Sequence, residues 1–201
     1  TAMTKHKAHA PLIVGIGGTT RKGSSSEMVL RAALAEAEKL GARTMLIAGP
    51  ELVLPLYAPE DPTRDPAAQK LITALKEADG VIISSPGYHG SISGMVKNAL
   101  DYIEDIRDDA RPYLDGRAVG CIACAYGWQA TGSVLAALRS IAHALRGWPT
   151  PLGIAVNSLN ELFDEDGACI DKPLALQLRI MAEQVMTFAD RTQAMKARAV
   201  A

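Results

Sequence analysis

The chain has 201 residues, 48% of them apolar, and a formal net charge of −1. That length suits one domain with a substantial core. The near-neutral balance argues against a dedicated nucleic-acid binder and against a strongly acidic carrier surface. The three cysteines cannot all pair with one another. No secretory h-region stands near the start, and no apolar run approaches the ~18 residues that span a bilayer. A reducing cytoplasm is the expected compartment, with no membrane and no nucleic-acid partner.

Residues 1–10 are polar and patternless and are expected to form a disordered tail. A single domain is expected over 11–192, with a frayed tail over 193–201. Pro11 to Gly17 reads as the first strand and runs into a loop from Gly18 to Ser26. Leu30, Ala33, Leu34 and Ala37 then share one helical face, and Gly41 stops that helix. Arg43 to Ala48 is the second strand. A connection carrying Pro50, Pro55, Pro59, Pro62 and Pro66 follows, long enough to be functional or covered by a partner. Ala68, Leu71, Ile72 and Leu75 mark the second helix.

Gly80 to Ser84 is an apolar, β-branched run, the pattern of a strand covered on both faces. An unusual loop follows, and then Ile92, Met95, Val96, Ala99, Leu100 and Ile103 fall on one helical face. Ala118 to Ala125 is the fourth strand, ending in a loop from Tyr126 to Gln129. Val134, Leu138, Ile141 and Leu145 give the fourth helix, Leu152 to Val156 the fifth strand, and Phe163 to Lys172 a polar loop. Leu174, Leu178, Met181, Val185 and Phe188 define the last helix. Five strands alternating with five helices imply right-handed crossovers and a parallel sheet covered on both sides. Such a sheet binds ligands beyond the carboxyl ends of its strands, where the three unusual loops converge.

The first of these loops sits between a strand and a helix N-terminus, a natural place for a phosphate. Thr19, Ser24, Ser25 and Ser26 add hydroxyls and Arg21 a guanidinium. The plainer reading is that Ser24 and Glu27 form only an S-x-x-E capping box. There is no G-x-x-x-x-G-K-[ST] run. After Gly15 and Gly17 the third place of a dinucleotide fingerprint holds Thr20, and Ala48-Gly49 stand where a ribose-binding acid is expected. A mononucleotide fits better, with its phosphate in the first loop and its ring between the others. Flavin mononucleotide (FMN) has that shape.

Gly18 to Ser26 resembles the G-S-x-R-x-x-S-x-N loop of the NADPH-dependent FMN reductase family. Ser85-Pro86-Gly87-Tyr88-His89-Gly90-Ser91-Ile92-Ser93-Gly94-Met95-Val96-Lys97-Asn98-Ala99-Leu100-Asp101 is similar to its S-P-E-Y-N-G-S-I-P-G-x-L-K-N-A-L-D motif. The match covers about residues 11 to 145. The resemblance implies a three-layer flavodoxin-like sandwich with a five-stranded parallel sheet of order 2-1-3-4-5. It implies noncovalent FMN, NADPH or NADH as hydride donor, and a small-molecule acceptor such as free flavin or a quinone. Thr19, Arg21, Ser24 and Ser26 would hold the phosphate. Pro86, Gly87, Tyr88, His89, Gly90 and Ser91 would line the ring, and Tyr126, Gly127 and Trp128 stand where a third flavin loop lies. No side chain is required as a catalytic acid or base.

The departures from the motif are Ser26, Gly87, His89, Ser93 and the Trp128-Gln129 pair; Trp128 bears on the acceptor pocket. His89 is either a donor to flavin or acceptor or a solvated spacer. Cys121 and Cys124 spell C-x-x-C but lie within a strand, where positions three apart face opposite sides, so they read as core. No histidine and cysteine share metal-ligand spacing. Lys97 and Asn98 either face solvent or hold a neighbouring loop. The proline-rich connection and the helix after Ser91 lead to the expectation of a homodimer or homotetramer. The competing functional reading is a flavodoxin-type electron carrier that does not itself oxidise NADPH.

Overall fold

A computed structural model of the chain describes residues 10–200. Apart from Ala10, the expected N-terminal tail lies outside the described residues. Strand β1 (Leu12–Gly17) is buried along its whole length and lies inside the sheet, next to the β2 edge. It pairs in parallel with β2 (Arg43–Ala48) on one side and β3 (Gly80–Tyr88) on the other, with Gly17 opposite both Ala48 and Ser84. Next to β3 lies β5 (Ala118–Ala125), and the far edge is shared by two short strands, β6 (Trp148–Pro149) and β7 (Ile154–Asn157). A two-residue strand, β4 (Ser91–Ile92), folds back antiparallel on the end of β3. The parallel order is the expected one, and the chain reverses direction across the sheet between β1 and β3.

Helices α1 (Ser25–Lys39) and α5 (Lys172–Val200) cover one face. Their apolar stripe, including Leu30, Leu34, Leu178 and Met181, packs with Ile13, Ile82 and Ile122. Helices α2 (Pro66–Glu77), α3 (Gly94–Asp101) and α4 (Trp128–Ala144) cover the other, where Leu71, Val96 and Leu138 meet Val14, Ile83 and Val119. Alternate residues of each central strand feed opposite cores, so the runs look continuously apolar. Cys121 belongs to one core and Cys124 to the other, as expected of positions three apart on a strand.

Several boundaries differ from expectation. The third strand continues past Ser84 through Pro86 to Tyr88. Its pairing with β1 stops at Ser84 while that with β5 runs on to Pro86, so the proline sits where the strand is paired on one side only. The expected loop is thus a strand that turns at His89-Gly90, both with positive φ (50° and 88°), into β4. Positive φ at both central residues is the signature of a type I′ hairpin turn. The expected third helix ends at Asp101 and continues as a 3₁₀ turn over Tyr102–Ile106. The expected fifth strand, Leu152 to Val156, is β7, shifted to Ile154–Asn157, and a separate two-residue strand, β6, precedes it across Pro151. Trp128 and Gln129 belong to the first turn of α4 rather than to the loop before it. The segment expected to fray from residue 193 is helical through Val200.

The proline-rich connection is held by α3 and the turn after it. Asn98 accepts a hydrogen bond from the Tyr57 amide at 2.8 Å and donates to the Pro55 carbonyl at 2.9 Å. The Tyr102 hydroxyl reaches the same carbonyl at 2.9 Å. Arg64 binds both oxygens of Asp105, at 2.6 and 2.9 Å, with its guanidinium over the Tyr57 ring. Of the two readings of Asn98, the structure supports the one in which it holds the neighbouring loop; Lys97 instead pairs with Asp101 at the surface.

At the opposite end of the sheet Arg117 is 1% exposed. It donates to the carbonyls of Ala78, Lys76, Tyr113 and Asp115 at 2.9 to 3.2 Å. Lys76 and Ala78 close α2, where carbonyls are otherwise orphaned and a cation opposes the helix dipole. Burial lowers its pKa to about 10, which leaves it charged at neutral pH. Arg117→Met removes these four donations and is expected to cost roughly 3 kcal/mol, read as a lower urea midpoint at unchanged slope.

Candidate functional site

Three strand ends and one helix start define a cleft of about 230 Å³ at the carboxyl edge of β1, β3 and β5. Its position follows from the reversal between β1 and β3, where the connecting loops part and leave a crevice. The first wall is the loop entering α1. Ser24 is the N-cap, its Oγ accepting from the Glu27 amide at 3.4 Å and lying 3.3 Å from the Ser26 Oγ. Thr19 Oγ1 accepts from the Arg21 amide at 3.1 Å and so shapes the turn ahead of it. The Arg21 guanidinium makes no hydrogen bond or ion pair among the described residues. Thr19, Arg21, Ser24, Ser25 and Ser26 all face the cleft.

The capping reading is therefore half right. Ser24 caps α1, but the Glu27 carboxylate does not return to the cap residue. One of its oxygens accepts from the Gly23 amide at 3.0 Å, and the other is held by Arg31 at 2.7 and 3.0 Å. Glu27 is 2% exposed and does not line the cleft. Its charge is compensated by Arg31, not by Arg21 or Lys22, so Arg21 stays available to an anion.

The second wall is the end of β3: Pro86, Gly87 and Tyr88. Ser84 ties it to the first. Its hydroxyl donates to the Ser26 carbonyl at 2.8 Å, and its carbonyl accepts from the Gly18 amide at 3.2 Å. A Cβ on Gly17 would lie 2.1 Å from the Ser84 oxygen, so only glycine permits this approach. The Ser85 Oγ accepts from the Ser93 amide at 3.0 Å, and Ser93 in turn caps α3 through the Val96 amide. The departure at Ser93 thus serves the helix start. At Gly87 a Cβ would meet Val134 Cγ2 at 3.0 Å and Ala125 Cβ at 3.2 Å, so this position faces α4 and β5.

The third wall is Cys124, Ala125 and Tyr126 at the end of β5, completed by Ser158 after β7, whose amide donates to the Ala125 carbonyl at 3.0 Å. Of the thirteen residues that the resemblance assigns to the cofactor, eight line the cleft: Thr19, Arg21, Ser24, Ser26, Pro86, Gly87, Tyr88 and Tyr126. His89, Gly90 and Ser91 stand at the hairpin tip beyond its lining, and Gly127 is the N-cap of α4. Trp128 borders a neighbouring groove instead. Ser25, Cys124, Ala125 and Ser158 also line the cleft. The parallel order already placed the loop after the fifth strand at this edge, so Ser158 was within reach of that argument. No group of histidine, cysteine and acidic residues with metal-binding geometry occurs among the described residues.

The cleft is polar and cationic at the α1 end and apolar toward Pro86, Cys124 and Ala125. An anionic group suits the first end and an apolar group the second. Burial pushes the Cys121 and Cys124 thiols up to about 12, so neither is a thiolate at neutral pH. At pH 8 a thiol reagent is expected to modify no more than Cys169 in the folded protein and all three cysteines in denaturant. Stability should also fall as pH rises above ~9, because the unfolded chain releases thiol protons that the folded chain retains.

The sequence model of a family described as NADPH-dependent FMN reductase matches residues 11–160. An FMN-dependent NADPH-azoreductase of Staphylococcus aureus is 32% identical over 117 residues, 57% of this chain and 58% of that protein. The aligned part thus spans a little over half of that relative. Among solved structures, the flavoenzyme NAD(P)H:(acceptor) oxidoreductase FerB of Paracoccus denitrificans superposes with a TM-score of 0.75 at 20% identity, covering 91% of this chain and 99% of that one. An NADH:FMN oxidoreductase (EMOB) gives 0.67 at 20% identity, covering 89% of each. At such identities these two speak to the flavodoxin-like fold.

Proposed function

This chain belongs to the NADPH-dependent FMN reductase family, and from that premise we propose that it is an FMN-dependent NAD(P)H oxidoreductase acting on a small-molecule acceptor. The observation that carries the proposal is the pairing of an uncommitted Arg21 and a serine-rich helix start with an apolar slot at the same sheet edge. These residues fit FMN, which is anionic at one end and planar at the other.

Arg21, Thr19, Ser24, Ser26 and the first amides of α1 would hold the phosphate, with Ser25 beside them. Pro86 and Gly87 would present strand backbone to the ring, and Cys124 and Ala125 would give it an apolar wall. Tyr88 and Tyr126, 51% and 76% exposed, flank the mouth through which substrates approach. FMN, when bound, supplies the two-electron chemistry, taking hydride from a reduced nicotinamide and passing electrons to the acceptor. No side chain of the cleft is required to move a proton in that exchange. The protein contributes orientation, a dry wall and backbone donors. Exposed Leu56 and Val53 on the proline-rich connection, 85% and 60% exposed, support self-association, which sedimentation at micromolar concentration checks.

Purified protein is expected to bind FMN with quenching of flavin fluorescence, and Arg21→Ala to weaken that binding roughly tenfold or more with no change in melting temperature. Anaerobic NADPH should bleach the flavin absorbance of the loaded protein. Flavin that binds but stays yellow under NADPH and NADH would sink the oxidoreductase reading in favour of an electron carrier.

A further inference from the structure

A second depression of about 360 Å³ lies beside the cleft, between the end of β7 and the start of α5. Ala125 and Ser158 line the cleft, and Asn157, register partner of the first and chain neighbour of the second, lines the groove. The floor is apolar, with Val156, Leu162 and Leu174 all at least 93% buried. One wall is Trp128, held at the first turn of α4 and 61% exposed. The rim carries the amide groups of Asn157, Asn160 and Gln177. Asn160 and Gln177 have no side-chain hydrogen-bond partner among the described residues, and Asn157 uses only its oxygen, toward the Leu159 amide. An apolar floor, an aromatic wall and a few spare polar groups are the composition of a small-molecule subsite.

No cation lines this groove. Asp171 does, one oxygen accepting from the Leu174 amide at 2.8 Å where it caps α5. The hairpin that carries it, 161–171, holds Glu161, Asp164, Glu165 and Asp166 as well and no lysine or arginine. Lys172 follows directly but does not line the groove. Behind Gly153 the Arg139 guanidinium lies 3.5 Å from where a Cβ would stand, donating to the Thr150 carbonyl at 2.9 Å; at the opposite end, the acids around Asp171 and the Trp128 ring favour a cation or an electron-poor ring over an anion.

We propose that this groove is an acceptor subsite: it takes the distal planar ring of an extended, uncharged or cationic aromatic acceptor and stacks it on Trp128. The proposal rests on the oxidoreductase reading only for the identity of the occupant; the groove's preference for ring and charge stands without it. Trp128 is then a specificity residue that widens the choice of acceptor along one direction, away from the flavin cleft.

The test uses Trp148→Phe protein, in which Trp128 is the only tryptophan, saturated with FMN and without nicotinamide. Two bicyclic probes of similar size are titrated, cationic 1-methylquinolinium and anionic naphthalene-2-sulfonate. The cation should quench Trp128 fluorescence and bind about tenfold more tightly than the anion at low salt, the gap closing as salt rises. Trp128→Ala should weaken the cation about tenfold by equilibrium dialysis, while the FMN titration of the same variant stays unchanged. Equal affinity for the two probes, or a Trp128→Ala variant that binds the cation as before, would overturn the proposal. Displacement of the probe by adenosine would also overturn it, assigning the groove to the purine of the dinucleotide. Absence of FMN binding with the probe preference intact would instead fail the flavin reading and leave the groove's chemistry standing.

Discussion

The geometry of the cleft depends on one contact, the Ser84 carbonyl against the glycines that end β1. Gly17 admits the carbonyl where any side chain would collide, and Gly18 donates its amide to it. The Ser84 hydroxyl then crosses to the Ser26 carbonyl in the first turn of α1. One residue thus fixes the anion-accepting helix start relative to the apolar end of β3. Because Ser84 is fully buried, neither interaction competes with water, and losing either would leave a buried polar group unsatisfied. The two halves of the cleft come from segments about sixty residues apart in the chain, and this contact gives them a common frame.

Electrostatics at that frame are arranged by a division of labour. Glu27 is buried, carries the negative charge nearest the phosphate-type loop, and is neutralised by Arg31 one turn along the same helix. That leaves Arg21 without an internal partner. A carboxylate in the loop and a free cation in the loop are compatible only because the acid faces inward to the Gly23 amide and the base faces outward. Cys124 contributes nothing ionic to the opposite wall, since its thiol stays protonated. A strong anion preference at one end and an uncharged wall at the other give the cleft a direction.

Much of this was legible in the sequence. The strand runs, the helical faces and the serine-rich loop follow periodicity and capping chemistry, which are local. The reading of Cys121 and Cys124 as core needed only the alternation of a strand. What escaped was set by neighbours. Pro86 falls in the loop expected after Ser84, yet β1 ends two residues earlier, so its missing amide disrupts no ladder on that side and the strand runs on. Trp128 looked like part of a loop because its aromatic neighbour and Gly127 mark one, while the helix it starts has no side-chain cap to announce it. The partition of Glu27 between Gly23 and Arg31 could not be read from S-x-x-E spacing, which describes only the reciprocal box. Asn98, ambiguous on a helix face, proved to hold a connection more than forty residues earlier in the chain.

Gly87 carries a consequence for how sequences of this kind can vary. A side chain there would run into Val134 on α4 and Ala125 on β5. Bulk at position 87 is therefore a question of packing between a strand end and a helix, and the two positions are not free to change independently. A longer residue at 87 becomes admissible when 134 is reduced or α4 shifts outward. The same shift would carry Trp128 with it, since both lie on that helix. Drift at one strand position thus has a mechanical route to the neighbouring groove, and positions 87, 134 and 128 are expected to covary along lineages.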